Sequence, residues 1–311
     1  MNRPQRGMTA AQAWALGLTS VASLMIAIDA LVVTTALPAI RVHLHASLAG
    51  LEWTVNAYVL SLAVLLMTGA ALGDRLGRRR MFAAGLGLFT AGSAACALAP
   101  GIGWLIAARA VQGAGAAVML AVGLALLSAG FPPGQRARAL GIFGAVTGLG
   151  VVLGPLVGGA VVQGLSWPWI FWINVPVGLA TIALTRARVG ESLGPDSALD
   201  LPGLVLVTGG VFGLVWALVR GNTAGWGSAE VIGALAAGAA LLVAFIAWEL
   251  RARQPMLPMR LFRSRVFSAG NAAIFFLWGS ALGAVFFLAQ FLQIALRYRQ
   301  APLRELTAGG S

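Results

Sequence analysis

The sequence predicts an all-α protein that crosses a membrane many times, and three observations carry that prediction. Only 10% of its 311 residues are charged and 59% are hydrophobic, with a mean hydropathy of +0.88, whereas a soluble domain is about one-quarter charged. Apolar stretches of about 20 residues, the length that crosses roughly 30 Å of hydrocarbon, recur along the chain. All 21 basic residues are arginine, and they cluster between those stretches. The net charge of +12 therefore reads as loops on the inner side of a bilayer, and nucleic acid is excluded as a partner.

The helices are predicted near 12–37, 52–72, 81–99, 102–130, 138–162, 167–186, 202–219, 230–248 and 267–295. The arginines set their direction under the positive-inside rule. With the N-terminus inside, the inner segments hold Arg3, Arg6, Arg75, Arg78, Arg79, Arg80, Arg136, Arg138, Arg186, Arg188, Arg251, Arg253, Arg260, Arg263 and Arg265. The outer loops hold only Arg41 and Arg220, which predicts a multi-pass protein of the cytoplasmic membrane with a cytoplasmic N-terminus. Arg297, Arg299 and Arg304 break the pattern, because the tail after nine crossings is expected outside.

Several chemistries are excluded. Cys96 is the single cysteine and lies in an apolar run, so neither a disulfide framework nor a cysteine metal site is available. His43 and His45 share a short loop with no carboxylate cluster, which reads as a solvated turn and not a metal site. The apolar run after "MNRPQRGMTA" is too long for the core of a cleavable signal. With no paired membrane aspartates and no Ser–His or metal-binding His cluster, the chain is not expected to be an enzyme and needs no cofactor.

The stretch "ALGDRLGRRR", residues 71–80, falls between the second and third predicted helices. A tight turn uses the conformational freedom of Gly73 and Gly77, the arginines attract lipid phosphate, and Asp74 pairs with them or faces a helix N-terminus. This segment resembles the loop signature G-x-L-a-D-r-x-G-r-r of the major facilitator superfamily. Leu72, Gly73, Asp74, Arg75, Gly77, Arg78 and Arg79 match it, with Ala70 in place of the first glycine. In the fourth helix "LIAARAVQGAGAA" places Arg109, Gln112, Gly113 and Gly115 as in that family's helix-4 signature. In the fifth, the spacing G-x8-G-x3-G-P-x2-G-G is met by Gly141, Gly150, Gly154, Pro155, Gly158 and Gly159, which the family shows in its antiporters. The same small residues are also what close helix packing requires.

"IDALVVTTALPAI" and "WPWIFWINVPVG" look like the segments that mark the 14-helix drug:proton antiporter branch. The resemblance implies an organisation of cytoplasmic tail 1–11, six-helix transporter half 12–187, linker 188–201 with Glu191, Asp196 and Asp200, and two inserted helices 202–250. A cytoplasmic loop 251–266, the first helix of a second half 267–296 and an atypical tail 297–311 follow. Family members continue through five more helices, so the chain is expected to be a carrier truncated at its C-terminus. In such a chain the Asp74 end of helix 2 and the glycine face of helix 5 would lack partners, and that face and Arg109 would be open to lipid.

The resemblance implies proton-coupled efflux of hydrophobic or cationic drugs across the cytoplasmic membrane, with transport expected to be impaired in this truncated form. The alternative is a fragment that inserts without transporting, or a half that needs a second polypeptide. Asp29 is the one acidic residue well inside a predicted membrane helix, and a buried carboxylate able to gain a proton is what coupling requires. An arginine inside a membrane helix is costly unless paired, and both Asp29 and Arg109 fall roughly 10–12 Å below the outer surface at about 1.5 Å per residue. They are therefore expected to meet, either as a proton-coupling pair or as a purely structural one. Asn56, Tyr58 and Asn174 line a cavity or bond across a helix interface. Trp53, Trp167, Trp169 and Trp172 form an outer aromatic belt or a substrate wall, and Glu52 and Glu230 are expected at solvated helix ends.

Overall fold

The computed structural model describes residues 8–194, 200–252, 255–277, 279, 280 and 283. Arg3, Arg6, Asp196, Arg253, Arg297, Arg299 and Arg304, most of the predicted helix beyond 277, and the tail 297–311 lie outside the described residues. Every regular element among the described residues is helical.

Thr9 opens α1 (Ala10–His43) with a capping box, its hydroxyl accepting from the Gln12 N–H while the Gln12 side chain accepts from the Thr9 N–H. The helix passes Pro38 and ends beyond the predicted limit of 37. Ser47 caps α2 (Leu48–Leu76), which also outruns its prediction at both ends. α3 (Arg78–Ala97), α4 (Ile102–Gly130) and α5 (Pro133–Gly164) follow. The next span, Trp169–Arg188, is divided into α6 (Trp169–Trp172) and α7 (Asn174–Arg188). Pro176 explains the division, since a proline ring crowds the carbonyl four residues before it, here that of Trp172. α8 (Leu201–Ala224) and α9 (Ala229–Glu249) complete the set.

Seven of these spans are long and apolar enough to cross a membrane: α1, α2, α4, α5, α6 with α7, α8 and α9. α3 has the length, at 20 residues, but opens on three arginines. Residues Met1–Met256 form one compact unit, so α8 and α9 belong with the first six spans. From Leu257 a second unit begins, in which a short 3-10 helix (Met259–Arg263) leads into a helix at Arg265–Leu277.

Glycines decide which helices touch. A methyl group on Gly113 would strike the Tyr58 backbone of α2, and one on Gly115 the Phe89 backbone of α3, so α4 is wedged against both neighbours at the level of its signature. The apolar core of the described residues forms three clusters, the smallest of them around Leu16, Leu127, Phe131 and Phe143. One, around Val32, Ile40, Cys96, Leu105 and Phe171, lies toward the C-terminal end of α1. Another, around Leu18, Met25, Phe82, Leu86, Phe89 and Met119, lies toward its N-terminal end. Asp29 sits between these two in sequence, between Ile26 and Val32 of α1.

The inserted pair is joined glycine to backbone: a methyl on Gly238 of α9 would lie 2.8 Å from the Leu214 amide nitrogen of α8. α8 docks on α2 through a Thr68–Thr208 hydroxyl pair at 3.4 Å and through Trp53 against Trp216, ring centres 5.2 Å apart. Asp200 both caps α8 at the Gly203 N–H and accepts the Trp248 indole N–H of α9 at 2.8 Å.

Candidate functional site

The site is a charged pair that has been wholly removed from solvent. Asp29 of α1 and Arg109 of α4 are each 0% exposed and joined through Asp29 Oδ2 and Arg109 Nη1. Two of the apolar clusters exclude water from either side, so the cost of burying two charges must be met by hydrogen bonds. They are present. Gln112 Nε2 donates to Asp29 Oδ1 at 2.8 Å, and Asn174 Nδ2 of α7 donates to the same oxygen at 3.1 Å.

Gln112 lies one turn beyond Arg109, and both ends of its amide are used. Its Oε1 accepts from Arg109 Nη1 at 2.7 Å and from the Cys96 thiol at 3.6 Å, while Nε2 also donates to Ser93 Oγ at 2.6 Å. Arg109 Nε donates to the Thr54 carbonyl at 3.2 Å, and the guanidinium lies over the Tyr58 ring with its carbon 4.0 Å from the ring centre. A cation on an aromatic face is stabilised by about 2 kcal/mol when desolvated. Within this network Arg109 Nη2 has no hydrogen-bond partner among the described residues. Among the described residues, the groups that bond Asp29 are all N–H donors.

The structure thus brings Asp29 of α1, Tyr58 of α2, Arg109 and Gln112 of α4 and Asn174 of α7 together, and Ser93 of α3 joins them. Tyr58 and Asn174, 1% and 5% exposed, bond across helix interfaces rather than line a cavity; the Tyr58 hydroxyl donates to the Ile26 carbonyl at 3.4 Å. Asn56 does border a groove, about 1150 Å³ in volume, at the α1–α2 connection, with Leu37, Arg41, His45 and Glu52. Ser93, the Thr54 carbonyl and the Cys96 thiol were not foreseen as members of the network. Ser93, which with Thr90 supplies the hydroxyls of an apolar stretch of α3, left a signal in the sequence.

The expectation that Arg109 and the helix-5 glycines would lie open to lipid is corrected for Arg109 and for three of the five glycines. Arg109 is fully buried. The antiporter signature is divided between two faces of α5. A methyl on Gly150 or Gly154 would lie 2.7 Å from Ala27 Cβ or 2.8 Å from Leu31 Cβ, and one on Gly158 would strike Thr35, so these three pack on α1. Gly141 and Gly159 meet nothing within 4 Å, and Pro155 is exposed beside them. The four-residue spacing places the first three on one stripe, and the others fall off it.

The α2–α3 loop also differs from expectation. Leu72, Gly73, Asp74 and Arg75 are helical, and Gly73 serves a close contact with Val122 of α4, where a methyl would lie 2.7 Å from Cγ2, rather than a turn. The turn is Gly77 alone, at φ +102°, a region that essentially only glycine enters at no cost. Asp74 pairs with Arg78, one turn on, at 2.7 Å. The linker after α7 lies over this turn: Arg78 N–H donates to the Ser192 carbonyl at 2.9 Å, Gly194 N–H to the Asp74 carbonyl at 2.8 Å, and Arg79 N–H to Glu191 Oε1 at 2.9 Å. The Glu191 carboxylate also faces the Arg79 and Arg80 side chains at 3.6 Å each.

Other expected features are placed as follows. Trp167 is buried against Phe171 and His43 rather than in a belt, whereas Trp169 is 48% exposed. Glu230 bonds Arg220 at 2.9 Å across the α8–α9 connection, and Glu52 is exposed. Among the described residues no group of three or more His, Cys, Asp or Glu is placed to hold a metal.

Comparison with known proteins supplies the family. Among solved structures, a peptide transporter POT in complex with sulfate superposes with a TM-score of 0.58 at 18% identity, covering 80% of this chain and 55% of that one. The POT family transporter PepTSo gives 0.56 at 13%, covering 76% and 52%. At these identities the likeness is one of fold. Among curated relatives, the tetracenomycin C resistance and export protein of Streptomyces glaucescens is 39% identical over 279 residues, 88% of this chain and 51% of that protein. Multidrug resistance protein Stp of Mycobacterium tuberculosis is 38% identical over 288 residues, 92% of this chain and 54% of that protein. The cephamycin export protein CmcT of Amycolatopsis lactamdurans is 39% identical over 292 residues, 92% and 60%. The chain thus spans about half the length of the curated relatives it matches. The family model described as Major Facilitator Superfamily matches residues 19–309, nearly the whole sequence, and the chain belongs to that superfamily.

Proposed function

We propose that the chain exports hydrophobic or cationic small molecules across the cytoplasmic membrane in exchange for protons, its N-terminus and arginine-rich loops on the cytoplasmic side. The observation that carries this reading is the buried Asp29–Arg109 pair with its Gln112 and Asn174 clamps. A membrane carboxylate held only by donors can be neutralised by one proton. Neutral Asp29 then releases its hold on Arg109, whose guanidinium keeps Tyr58, Gln112 and the Thr54 carbonyl as partners. A cationic solute near the carboxylate competes with the proton for one negative charge, which is the exchange an antiporter needs. The relatives named as export and multidrug resistance proteins support an export direction.

The test is efflux of a fluorescent hydrophobic cation from proteoliposomes under an imposed pH gradient. Asp29→Asn is expected to abolish the gradient-driven component while leaving membrane insertion unchanged. Gradient-driven efflux by that variant at the parent rate would reduce Asp29 to a structural partner of Arg109. Absence of efflux by the parent chain would refute the exporter reading for these 311 residues and favour a half that acts with a second polypeptide.

A further inference from the structure

The buried face of α7 is composed of Asn174, Gly178, Thr181 and Thr185, with no large apolar residue in it. Their spacing of four, three and four residues is one helical stripe; Val177 and Leu179 are exposed, while Ile182 and Leu184 pack partly buried against the apolar core. Thr185 is 0% exposed and its hydroxyl has no hydrogen-bond partner in the protein. A buried hydroxyl without a protein partner is normally satisfied by water.

The stripe starts at the charged pair, where Asn174 bonds Asp29, and ends one residue before Arg186. Gly178 leaves its place to a neighbour: a methyl there would strike the Thr90 hydroxyl of α3, so Thr90 supplies the oxygen missing from that rung. At about 1.5 Å per residue the rungs at 174, 178, 181 and 185 are roughly 6, 4.5 and 6 Å apart. Two oxygens bridged by one water stand about 5.5 Å apart, twice an O–H···O distance of about 2.75 Å. Thr90 and Thr181 donate to the carbonyls of Leu86 and Val177, which leaves their oxygens able to accept.

We infer that the α3–α7 seam is a file of alternating waters and hydroxyls, through Thr90, Thr181 and Thr185, that carries protons between Asp29 and the arginine-bearing end of α7. The inference rests on the proposed proton-handling role of Asp29. In release, the proton leaves the Asp29 carboxyl for the first water, each hydroxyl oxygen accepts one proton and passes on its own, for which the O–H of Thr90 and of Thr181 turns from the Leu86 or Val177 carbonyl to the next water, and one proton enters bulk water. Asp29 is left as the carboxylate paired with Arg109. The titratable groups around Asp29 are Arg109, Tyr58 and Cys96, from α4, α2 and α3; α7 and α1 add none there.

The test is a pH jump on reconstituted full chain, following the infrared carboxyl band that Asp29→Asn removes. Thr181→Val and Thr185→Val are expected to slow the loss of that band at least about tenfold, because proton transfer needs groups within hydrogen-bond reach. Thr185→Ser should restore the parent rate. Thr185→Val should be at least as heat-stable as the parent, since it deletes only an unpaired hydroxyl, so slowed kinetics cannot be charged to misfolding. Parent-like rates in both valine variants, with the band still dependent on Asp29, would overturn the file alone. A band that survives Asp29→Asn would overturn the role of Asp29 and the file with it.

Discussion

Replacing Arg109 by Met keeps an unbranched, flexible stem, shorter than that of Arg, and removes the charge. Asp29 would then keep two donors, Gln112 and Asn174, but no counter-charge within a site that is 0% exposed. Breaking one side of a buried ion pair costs about 3–5 kcal/mol. The lost stacking of the guanidinium on Tyr58, 4.0 Å away, works in the same direction. Asp29→Asn placed on top of Arg109→Met removes the stranded charge while leaving a carbonyl oxygen for Gln112 and Asn174. The double variant should therefore be more stable than Arg109→Met alone, with a coupling energy of about 1–3 kcal/mol across the pair. Equilibrium unfolding in mixed detergent micelles, followed by tryptophan fluorescence for parent, both single variants and the double, measures this. A double variant no more stable than Arg109→Met, or a single variant that unfolds with the parent, would refute the account of the pair as a mutually compensating buried unit.

Two neighbouring glycines of α5 should behave oppositely. Gly158→Ala drives a methyl into Thr35 of α1 and should destabilise by about 1–3 kcal/mol through overpacking, whereas Gly159→Ala meets nothing within 4 Å and should be neutral or slightly stabilising; thermal denaturation in detergent compares them. Gly77→Ala combines φ +102° with a methyl 2.8 Å from the Glu191 carboxyl carbon, and should cost about 1–3 kcal/mol by the same measurement. Glu191→Gln weakens partly exposed ion pairs and should change global stability by no more than about 1 kcal/mol, yet hydrogen exchange at the amides of Arg78, Arg79 and Gly194 should quicken. Unaltered exchange there would show that the linker does not hold the α2–α3 turn through Glu191.

The sequence by itself determined the class of the protein and the identity of the charged pair. Apolar stretches of spanning length and a shortage of charge leave few folds but helices in a bilayer, because every backbone polar group there must be satisfied within its own segment. An aspartate and an arginine at matching depth in two such segments have strong reason to meet, and Asp29 and Arg109 do. What only the tertiary structure decided was direction around each helix. The glycines of α5 read as one motif, but a helix turns 100° per residue, so Gly150, Gly154 and Gly158 face α1 while Gly141 and Gly159 do not. Gly73 reads as a turn residue and is a contact surface for α4. Glu191 lies over one hundred residues from Arg79, and nothing local in either segment announces that they pair. Which side chains share a buried space depends on rotations and contacts between segments distant in sequence, and these are set by packing that periodicity alone does not specify.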